Sequence, residues 1–396
     1  ESVTFENIKT TRVIYVDVAQ LDAPCCYITD SDFNDNSALS GGAVFNYEGT
    51  TNITADNKDV VFSQNNASLG GAIYNSAQGT VGLYANSNRS ITFVGGTGNI
   101  DGIYNAGTLN VNGNVDDKVY AGTVNLYKVS DADPTDPTEF QGITNIYDGT
   151  VNVKDTLTQK TLNLIGGTLN LGRNAEVYDF NVTDGAKLSL SIPDGTFENY
   201  ENVINTLDVS NNFSGVLSNL TVDYDADAVA GSNMDKITVG TGYSASSVKL
   251  TSVNVIKDGT TMADGTFLNG TLTNITDNTE SVTSTTTSGG WKYTFTPSSK
   301  GVVSVTRTEA ETLAQTIQNP TGSSAFSINT NPYTTNENLG SLAGDGRNFT
   351  IYGNGNTLNG NGYEGVTVNA GQTFSVENAT VTRFDTPGGG GAISNE

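Results

Sequence analysis

The sequence predicts an all-β chain that folds as a parallel β-helix, also called a β-solenoid, in which short strands stack turn upon turn. Three observations predict it: a motif that returns at a near-constant interval, brief strands with strict apolar alternation, and a composition poor in helix-forming runs. Glycine accounts for 45 of the 396 residues, proline for 8, and hydrophobic residues for 36%, enough for a narrow core. Branched Cβ atoms favour extended backbone, and glycine and asparagine supply the positive-φ corners between strands.

The returning motif is a hexapeptide, Gly-Gly-Ala-Val-Phe-Asn, at residues 41–46. It recurs 29 residues later as Gly-Gly-Ala-Ile-Tyr-Asn at 70–75, in shortened form at 101–105, and again at 390–395. A β-sandwich would also have short strands and turns, but it would not bring one hexapeptide back at one interval. The repeat therefore favours stacked turns, each pairing its main chain with neighbours about 4.8 Å away.

A second pattern, Gly-Thr-Val/Leu-Asn-Val/Leu, occupies the middle of the chain. It begins at Gly107, Gly122, Gly149 and Gly167. Each copy is one short strand in which apolar and polar residues alternate, so a single copy cannot bury its apolar face alone. Stacking the copies solves this problem and places identical asparagines above one another in hydrogen-bonded ladders.

The change of pattern along the chain predicts three segments. Residues 1–306 are expected to form the parallel β-helix, and 307–340 a helical cap with a connector. Residues 341–396 are expected to start a second β-helix, which is truncated.

One short helix is predicted near residues 308–318, where Thr308 and Glu311 have the spacing of a capping box. Four apolar residues fall on one face of this helix: Ala310, Leu313, Ala314 and Ile317. A helix with one apolar face is suited to cover the open end of a β-helix core, which would otherwise be an aggregation edge.

The charge balance bears on the kind of partner. With 18 basic and 42 acidic residues the net charge is −24, and a polyanion repels nucleic-acid phosphates. No apolar run reaches the roughly 18 residues of a membrane-spanning helix, so none is predicted. We therefore expect no nucleic-acid partner and an acidic, extracellular surface protein.

The only cysteines, Cys25 and Cys26, are adjacent. Neighbouring Cα atoms are about 3.8 Å apart, closer than an ordinary disulfide accepts, and in a strand the two side chains point to opposite faces. One interpretation is a buried and an exposed thiol. The alternative is a crosslink, either between chains or as a strained vicinal disulfide.

The chain contains no histidine, which excludes Ser-His-Asp and Cys-His catalysis and histidine metal sites. The candidate metal ligands are Asp223, Asp225 and Asp227, because alternate carboxylates on a strand share one face and suit a hard cation. The alternative is that these are solvated loop acids. No cofactor is expected, and Ca²⁺ is the one cation that these acids would suit.

Three aromatic residues, Phe45, Tyr74 and Tyr104, recur at matched positions of the repeat. Matched positions are what stacking inside a repeat structure requires, so packing is predicted for them. A ladder of rings that stacks on sugars is the alternative.

Two paired motifs resemble the repeats of polymorphic membrane proteins and related autotransporter passengers. They are Phe-x-x-Asn at Phe33 and at Phe62, followed by Gly-Gly-Ala-Val at 41–44 and Gly-Gly-Ala-Ile at 70–73. Residues 349–360 resemble the opening coil of a pectate-lyase-like β-helix. The resemblance implies a right-handed β-helix exported to the bacterial cell surface, mostly for adhesion.

The leading functional hypothesis is a non-enzymatic adhesin or structural rod at the bacterial cell surface or secreted from the cell. It would bind a host glycan or protein, or a second copy of itself. One alternative is a polysaccharide lyase or glycosidase that uses Asp and Glu carboxylates. Another is a self-assembling extracellular filament subunit.

Overall fold

The structure is a computed structural model, and it divides the chain into two compact units. The first consists of Glu1–Val282 and Phe295–Val305, and the second of Thr283–Thr294 and Thr306–Glu396. The residues that the structure describes are 4–6, 14–16, 26–95, 102–131, 140–193, 195–198, 200–240, 242–257, 263–270, 282–285, 291–298, 301–309, 312–320, 324–328, 331–385 and 391–395.

The strands of the first unit begin with β1 (Thr4–Glu6), β2 (Ile14–Val16), β3 (Cys26–Thr29), β4 (Asp32–Asn34), β5 (Val44–Ala55), β6 (Val60–Ser63), β7 (Ile73–Ala85), β8 (Ser90–Phe93), β9 (Ile103–Asn105), β10 (Thr108–Val111), β11 (Gly113–Val115) and β12 (Lys118–Tyr120). They continue with β13 (Thr123–Leu126), β14 (Val129–Ser130), β15 (Ile143–Ile146), β16 (Thr150–Val153), β17 (Leu157–Leu164), β18 (Thr168–Leu171), β19 (Ala175–Val182), β20 (Lys187–Ser189), β21 (Thr206–Asp225), β22 (Lys236–Val239), β23 (Gly242–Lys257), β24 (Gly265–Thr266) and β25 (Leu268–Gly270).

Three further strands, β26 (Val282–Thr285), β27 (Trp291–Pro297) and β28 (Val302–Glu309), follow in the chain. The remaining elements belong to the second unit: α1 (Leu313–Gln318), β29 (Ala325–Ser327), β30 (Tyr333–Thr334), β31 (Gly340–Ser341), β32 (Asn348–Tyr352), β33 (Thr357–Asn359), β34 (Val366–Val368), β35 (Thr373–Glu377), β36 (Thr380–Thr382) and β37 (Ile393–Asn395). Since α1 is the single helix among the described residues, the all-β prediction is confirmed. In that same part of the chain, no helix is long and apolar enough to cross a membrane.

One large sheet dominates the first unit. Among the described residues, 22 strands join it, namely β1–β10, β13–β23 and β25. Its strands pair in parallel with strands one repeat away: β5 pairs with β7, and β7 with β9. The register matches the sequence repeat, because Val44 lies opposite Ile73 and Ile73 opposite Ile103. The predicted parallel pairing of successive repeats is therefore confirmed.

The core of this sheet contains a stack of phenylalanines, Phe33, Phe62 and Phe93, each fully buried. Their ring centroids are 4.7 Å and 4.4 Å apart, and the ring planes differ by 10° and 3°. Because the strands that carry them are in register, each ring meets an identical ring one repeat away. We call this set the phenylalanine stack.

Asparagines form a second buried row, which we call the inner amide ladder. Nδ2 of Asn46 donates to Oδ1 of Asn75 at 2.8 Å, and Nδ2 of Asn75 donates to Oδ1 of Asn105 at 2.7 Å. The row ends where Nδ2 of Asn105 donates to Oε1 of Gln159 at 2.6 Å. All four side chains are fully buried, so each amide depends on its neighbour for a partner.

The four copies of the second sequence pattern fall into two rows rather than one. Strand β13 pairs with β16, and β16 with β18, whereas β10 pairs with β7 and β15. The structure therefore explains their uneven spacing in the sequence. A step along one row is 27 or 18 residues, and the step from β10 to β13 moves between rows.

The second unit contains three rows of parallel strands, β29–β32–β35, β30–β33–β36 and β31–β34–β37. The helix α1 presents Leu313, Ala314 and Ile317 to its core, as predicted, while Ala310 lies outside the described residues. The predicted capping box at Thr308 and Glu311 is wrong, because β28 continues to Glu309 and the helix begins later. The cap is Thr312, which forms a capping box with Gln315. The assignments of 307–340 to a cap and of 341–396 to a second β-helix stay predictions.

We predict that Phe62→Ala strongly destabilises the first unit. The substitution leaves a cavity between two stacked rings in a fully buried site, which costs about 3–5 kcal/mol. Phe45→Ala, in a half-buried stack carried by β5, β7 and β9 of the same sheet, is the matched control and should cost less. Urea denaturation followed by circular dichroism measures both, and equal losses would contradict the assignment of the phenylalanine stack to the core.

Candidate functional site

The three candidate metal ligands lie at the end of β21 and in the turn after it. Asp223 is fully buried, Asp225 is the last residue of the strand, and Asp227 is exposed. Oδ1 of Asp225 accepts the N–H of Asp227 at 2.8 Å and that of Ala228 at 3.2 Å, as in an Asx turn. Asp227 lies 3.7 Å from Nζ of Lys257. The three carboxylates thus occupy three environments, because the strand that would align them ends at Asp225.

In the part of the chain that the structure describes, no three His, Cys, Asp or Glu side chains are grouped so as to hold a metal ion. The Ca²⁺ site at Asp223, Asp225 and Asp227 stays a prediction.

Asp223 is instead adjacent to a second buried carboxylate, Asp235, which sequence reasoning missed. Oδ2 of Asp235 accepts the N–H of Asp223 at 2.6 Å, and its Oδ1 accepts the N–H of Asn205 at 2.5 Å. Oδ1 of Asp223 accepts from Nδ2 of Asn254 at 2.9 Å. Both carboxylates are fully buried, which makes them inaccessible to a polysaccharide. The hydrogen bond between Asp223 and Asp235 thus joins the two ends of the loop that connects them.

The electrostatics of this pair are unusual. Burial, and then the negative charge of Asp223, raise the pKa of Asp235 well above its usual range. The two main-chain hydrogen bonds from Asn205 and Asp223 act in the opposite direction and are the smaller effect. Asp235 therefore keeps its proton in the folded chain at pH values where it would lose it in the unfolded chain.

The two cysteines are placed only in part. Cys26 is the first residue of β3, where it is half-buried and in register with Thr51. Cys25 lies outside the described residues. The crosslink predicted for Cys25 and Cys26 stays a prediction.

The aromatic residues at matched repeat positions stack on one another. The ring centroids of Phe45 and Tyr74 are 4.8 Å apart, and those of Tyr74 and Tyr104 are 5.0 Å apart, with nearly parallel planes. Both faces of the Tyr74 ring are therefore covered by protein. This arrangement favours the packing interpretation over a ladder that stacks on sugars.

A β-hairpin formed by β11 and β12 interrupts the parallel pattern. The two strands pair antiparallel, and Asp116 and Asp117 form the turn with φ values of 49° and 62°, as a type I′ turn requires. Nζ of Lys118 lies 2.6 Å from Oδ1 of Asp56 and 4.9 Å from the centroid of the Tyr120 ring. The hairpin is thus attached to the segment that follows β5, two repeats earlier in the chain.

A cavity of about 410 Å³ lies beside this hairpin, and we call it the hairpin pocket. It is lined by Tyr84, Asn110, Asn112, Gly113, Asn114, Tyr147 and Asp148. Tyr84 is almost fully buried, and its burial, with a contribution from Tyr147, raises the pKa of its hydroxyl to about 12. The pocket combines aromatic rings, amides and one carboxylate.

Sequence reasoning missed this pocket, although one signal for it was present. The gap between the copies at Gly107 and Gly122 contains Asn112-Gly113 and Asp116-Asp117, residue pairs that favour positive φ and tight turns. A hairpin inserted there could have been predicted. The residues that it approaches, such as Tyr84, could not.

A second cavity, of about 330 Å³, surrounds Arg173. Nη1 of Arg173 donates to the main-chain oxygen of Gly172 at 2.7 Å and to the Tyr200 hydroxyl at 3.0 Å. The guanidinium lies 4.8 Å from the Tyr200 ring centroid. Asp155 and Glu176 also line the cavity, so it brings one fixed cation together with two carboxylates.

We predict that Asp223→Asn weakens the pH dependence of stability. When the pKa of an acid is higher in the folded chain than in the unfolded chain, its ionisation destabilises the fold. This loss of stability grows as the pH rises from the unfolded-state pKa, about 3.9, to the folded-state pKa. Removing the charge of Asp223 should lower the pKa of Asp235 in the folded chain. At a pH above the folded-state pKa, each unit by which this pKa falls raises the free energy of unfolding by about 1.4 kcal/mol.

The measurement is the free energy of unfolding between pH 4 and pH 8 for the wild type, Asp223→Asn and the exposed control Asp227→Asn. The control should follow the wild type. If Asp223→Asn follows it too, the two buried carboxylates are not electrostatically coupled.

Comparisons with known proteins identify no relative. No protein-family model matches the chain, and no curated protein or solved structure matches it. The resemblance to autotransporter passengers accordingly stays a prediction from the sequence motifs.

Proposed function

We propose that this chain is a non-enzymatic adhesin or structural rod of the bacterial cell surface, built on a right-handed parallel β-helix. Its mechanism is presentation: a stiff stack of turns holds binding loops in fixed positions. Each turn stabilises its neighbours, so the stack tolerates insertions that do not disturb the pairing.

The observation that carries this proposal is the side-chain register within the large sheet. Asn46, Asn75 and Asn105 bond one to the next, and the phenylalanine stack has the same repeat. Identical residues meet identical residues when a chain winds back over itself at a fixed interval, as it does in a β-helix. The handedness follows the strong right-handed preference of connections between parallel strands.

The part of the chain that departs from the repeat supports a binding role. The hairpin β11–β12 leaves the parallel pattern and returns to it, and the hairpin pocket lies beside it. Loops placed by a rigid scaffold are where binding residues concentrate. A net charge of −24 suits a protein that stays soluble outside the cell.

Polysaccharide cleavage is the second candidate, favoured by the cavity around Arg173. Asp155 and Glu176 supply carboxylates, and Arg173 is held by Tyr200 and Gly172. Two carboxylates are the groups that most glycosidases use. Loss of a measured cleavage activity in Glu176→Gln would establish this alternative.

We predict that beads coated with the folded chain attach to cultured epithelial cells, and that soluble folded chain competes with them. Beads coated with heat-unfolded chain are the control, because they carry the same charge without the fixed loops. Sedimentation velocity on the same preparation shows whether the chain binds itself. Absence of attachment, together with release of new chain ends from a panel of acidic and neutral polysaccharides, would replace the adhesin proposal with the enzymatic one.

A further inference from the structure

We propose that the hairpin pocket binds a neutral sugar ring of a glycan. This inference rests on the proposed binding function and names the chemistry of its ligand. It is carried by the aromatic surface of the pocket, its hydrogen-bonding groups, its fixed shape and its charge.

Two tyrosines supply the aromatic surface. Tyr84 alternates along β7 with the core residues Leu83 and Ala85, so its side chain lies on the opposite face of the strand. Its ring covers Gly82, where any added Cβ would collide with it. Tyr147 is 41% exposed and packs against Gly113, where an added Cβ would lie 2.6 Å from the Tyr147 Cβ. The pocket therefore has one shielded tyrosine and one with open surface, which a C–H face of a sugar can cover.

The donors of the pocket include the end of an outer row of amides. Nδ2 of Asn145 donates to Oδ1 of Asn110 at 2.9 Å, Asn163 donates to Asn145 at 2.7 Å, and Asn181 donates to Asn163 at 2.8 Å. The Oδ1 of Asn110 is thus engaged, and the Asn110 side chain, which lines the pocket, also hydrogen-bonds Tyr84. Amides in such a row polarise one another and strengthen the terminal donor.

Two further lining residues, Asp148 and Asn114, supply acceptors. Oδ1 of Asp148 accepts the N–H of Gly149 at 2.7 Å, which fixes the carboxylate, and Asn114 on the hairpin is exposed. A sugar hydroxyl both donates and accepts. A wall with amide donors and a carboxylate acceptor matches neighbouring hydroxyls on one ring.

Hydrogen bonds of one side chain, Asn112, hold the base of the pocket in place. Oδ1 of Asn112 accepts the N–H of Ala85 at 3.0 Å, and its Nδ2 donates to the main-chain oxygens of Gly122 at 3.0 Å and Asp148 at 3.1 Å. This one side chain joins the base of the hairpin to three segments. Preorganisation of this kind lowers the entropy cost of binding a small, weakly held ligand.

The charge of the site selects neutral sugars over acidic ones. Asp148 lines the cavity, and Asp116 is close enough to contribute to the raised pKa of Tyr84. With its pKa at about 12, the Tyr84 hydroxyl stays protonated and donates or accepts at neutral pH. A uronate or sialate carboxylate would meet like charge here.

The test uses the full chain on an array of neutral oligosaccharides ending in galactose, mannose or N-acetylglucosamine, with sialylated counterparts. We expect neutral glycans to bind, Tyr147→Ala to weaken their affinity about tenfold or more, and Asp148→Asn to weaken it measurably. Tyr178→Ala removes a tyrosine that is 44% exposed on β19, outside the pocket, and should change affinity less than about twofold. Circular dichroism melting confirms that each variant is folded.

Three results would overturn the inference: no neutral glycan bound by the wild type, a preference for sialylated glycans, or unchanged affinity in folded Tyr147→Ala and Asp148→Asn. Attachment of coated beads to cells, measured with the same proteins, separates the two proposals. Attachment without glycan binding contradicts the sugar site and leaves the adhesin proposal standing. Glycan binding without attachment supports the sugar site and contradicts the adhesin role.

Discussion

Buried amides impose the constraint on which the first unit depends. A side-chain amide that is fully buried without a partner costs on the order of 1–3 kcal/mol, so each asparagine of the inner amide ladder requires the next one to lie one repeat away. Asn46, Asn75 and Asn105 meet this requirement because their strands are in register. A one-residue shift in strand register would turn each asparagine to the opposite face of its strand and place a neighbouring residue in the row. The ladder therefore fixes the register that the apolar core alone would leave less sharply specified.

The end of the inner amide ladder coincides with a change in the number of residues that separate paired side chains along the sequence. Oε1 of Gln159 accepts from both Asn105 and Thr144, and its Nε2 donates to main-chain oxygens, so one longer side chain completes the row. Partners are 29 or 30 residues apart along the inner row, whereas along the outer rows the separation falls from 35 and 27 residues to 18. Outer asparagines, including Asn163 and Asn170, continue the same amide pairing after the inner row ends. The same chemistry thus maintains register on the core side of the strands first and on their outer side afterwards.

The repeat made part of this structure predictable. Similar hexapeptides at a near-constant interval predicted the all-β class, the parallel pairing of β5 with β7, and the stacking of matched aromatic and asparagine residues. The start of the helix was not predictable from its capping pattern, because strand pairing extends β28 to Glu309 through the residues that would have capped it. The partition of the second pattern into two rows was hidden because all four copies have the same local sequence. Local sequence reports the conformation of a strand but not which neighbour it meets.

The site residues illustrate the same limit in a sharper form. The alternation of Asp223, Asp225 and Asp227 suggested a common face, but β21 ends at Asp225 and the residue that adjoins Asp223 is Asp235.

The hairpin pocket lies where the regular pattern is interrupted, and this location has a physical reason. Asn110 stands at the end of the outer amide row, and the strand before it in that row, β7, has Gly82 opposite Asn110 where an asparagine would continue the row. A glycine there leaves space that the Tyr84 ring fills, and the Asn110 side chain hydrogen-bonds Tyr84. The interruption of a self-complementary row thus gives the Asn110 side chain a tyrosine partner in place of another asparagine. The cavity thus lies at the position where one member of the repeat is replaced.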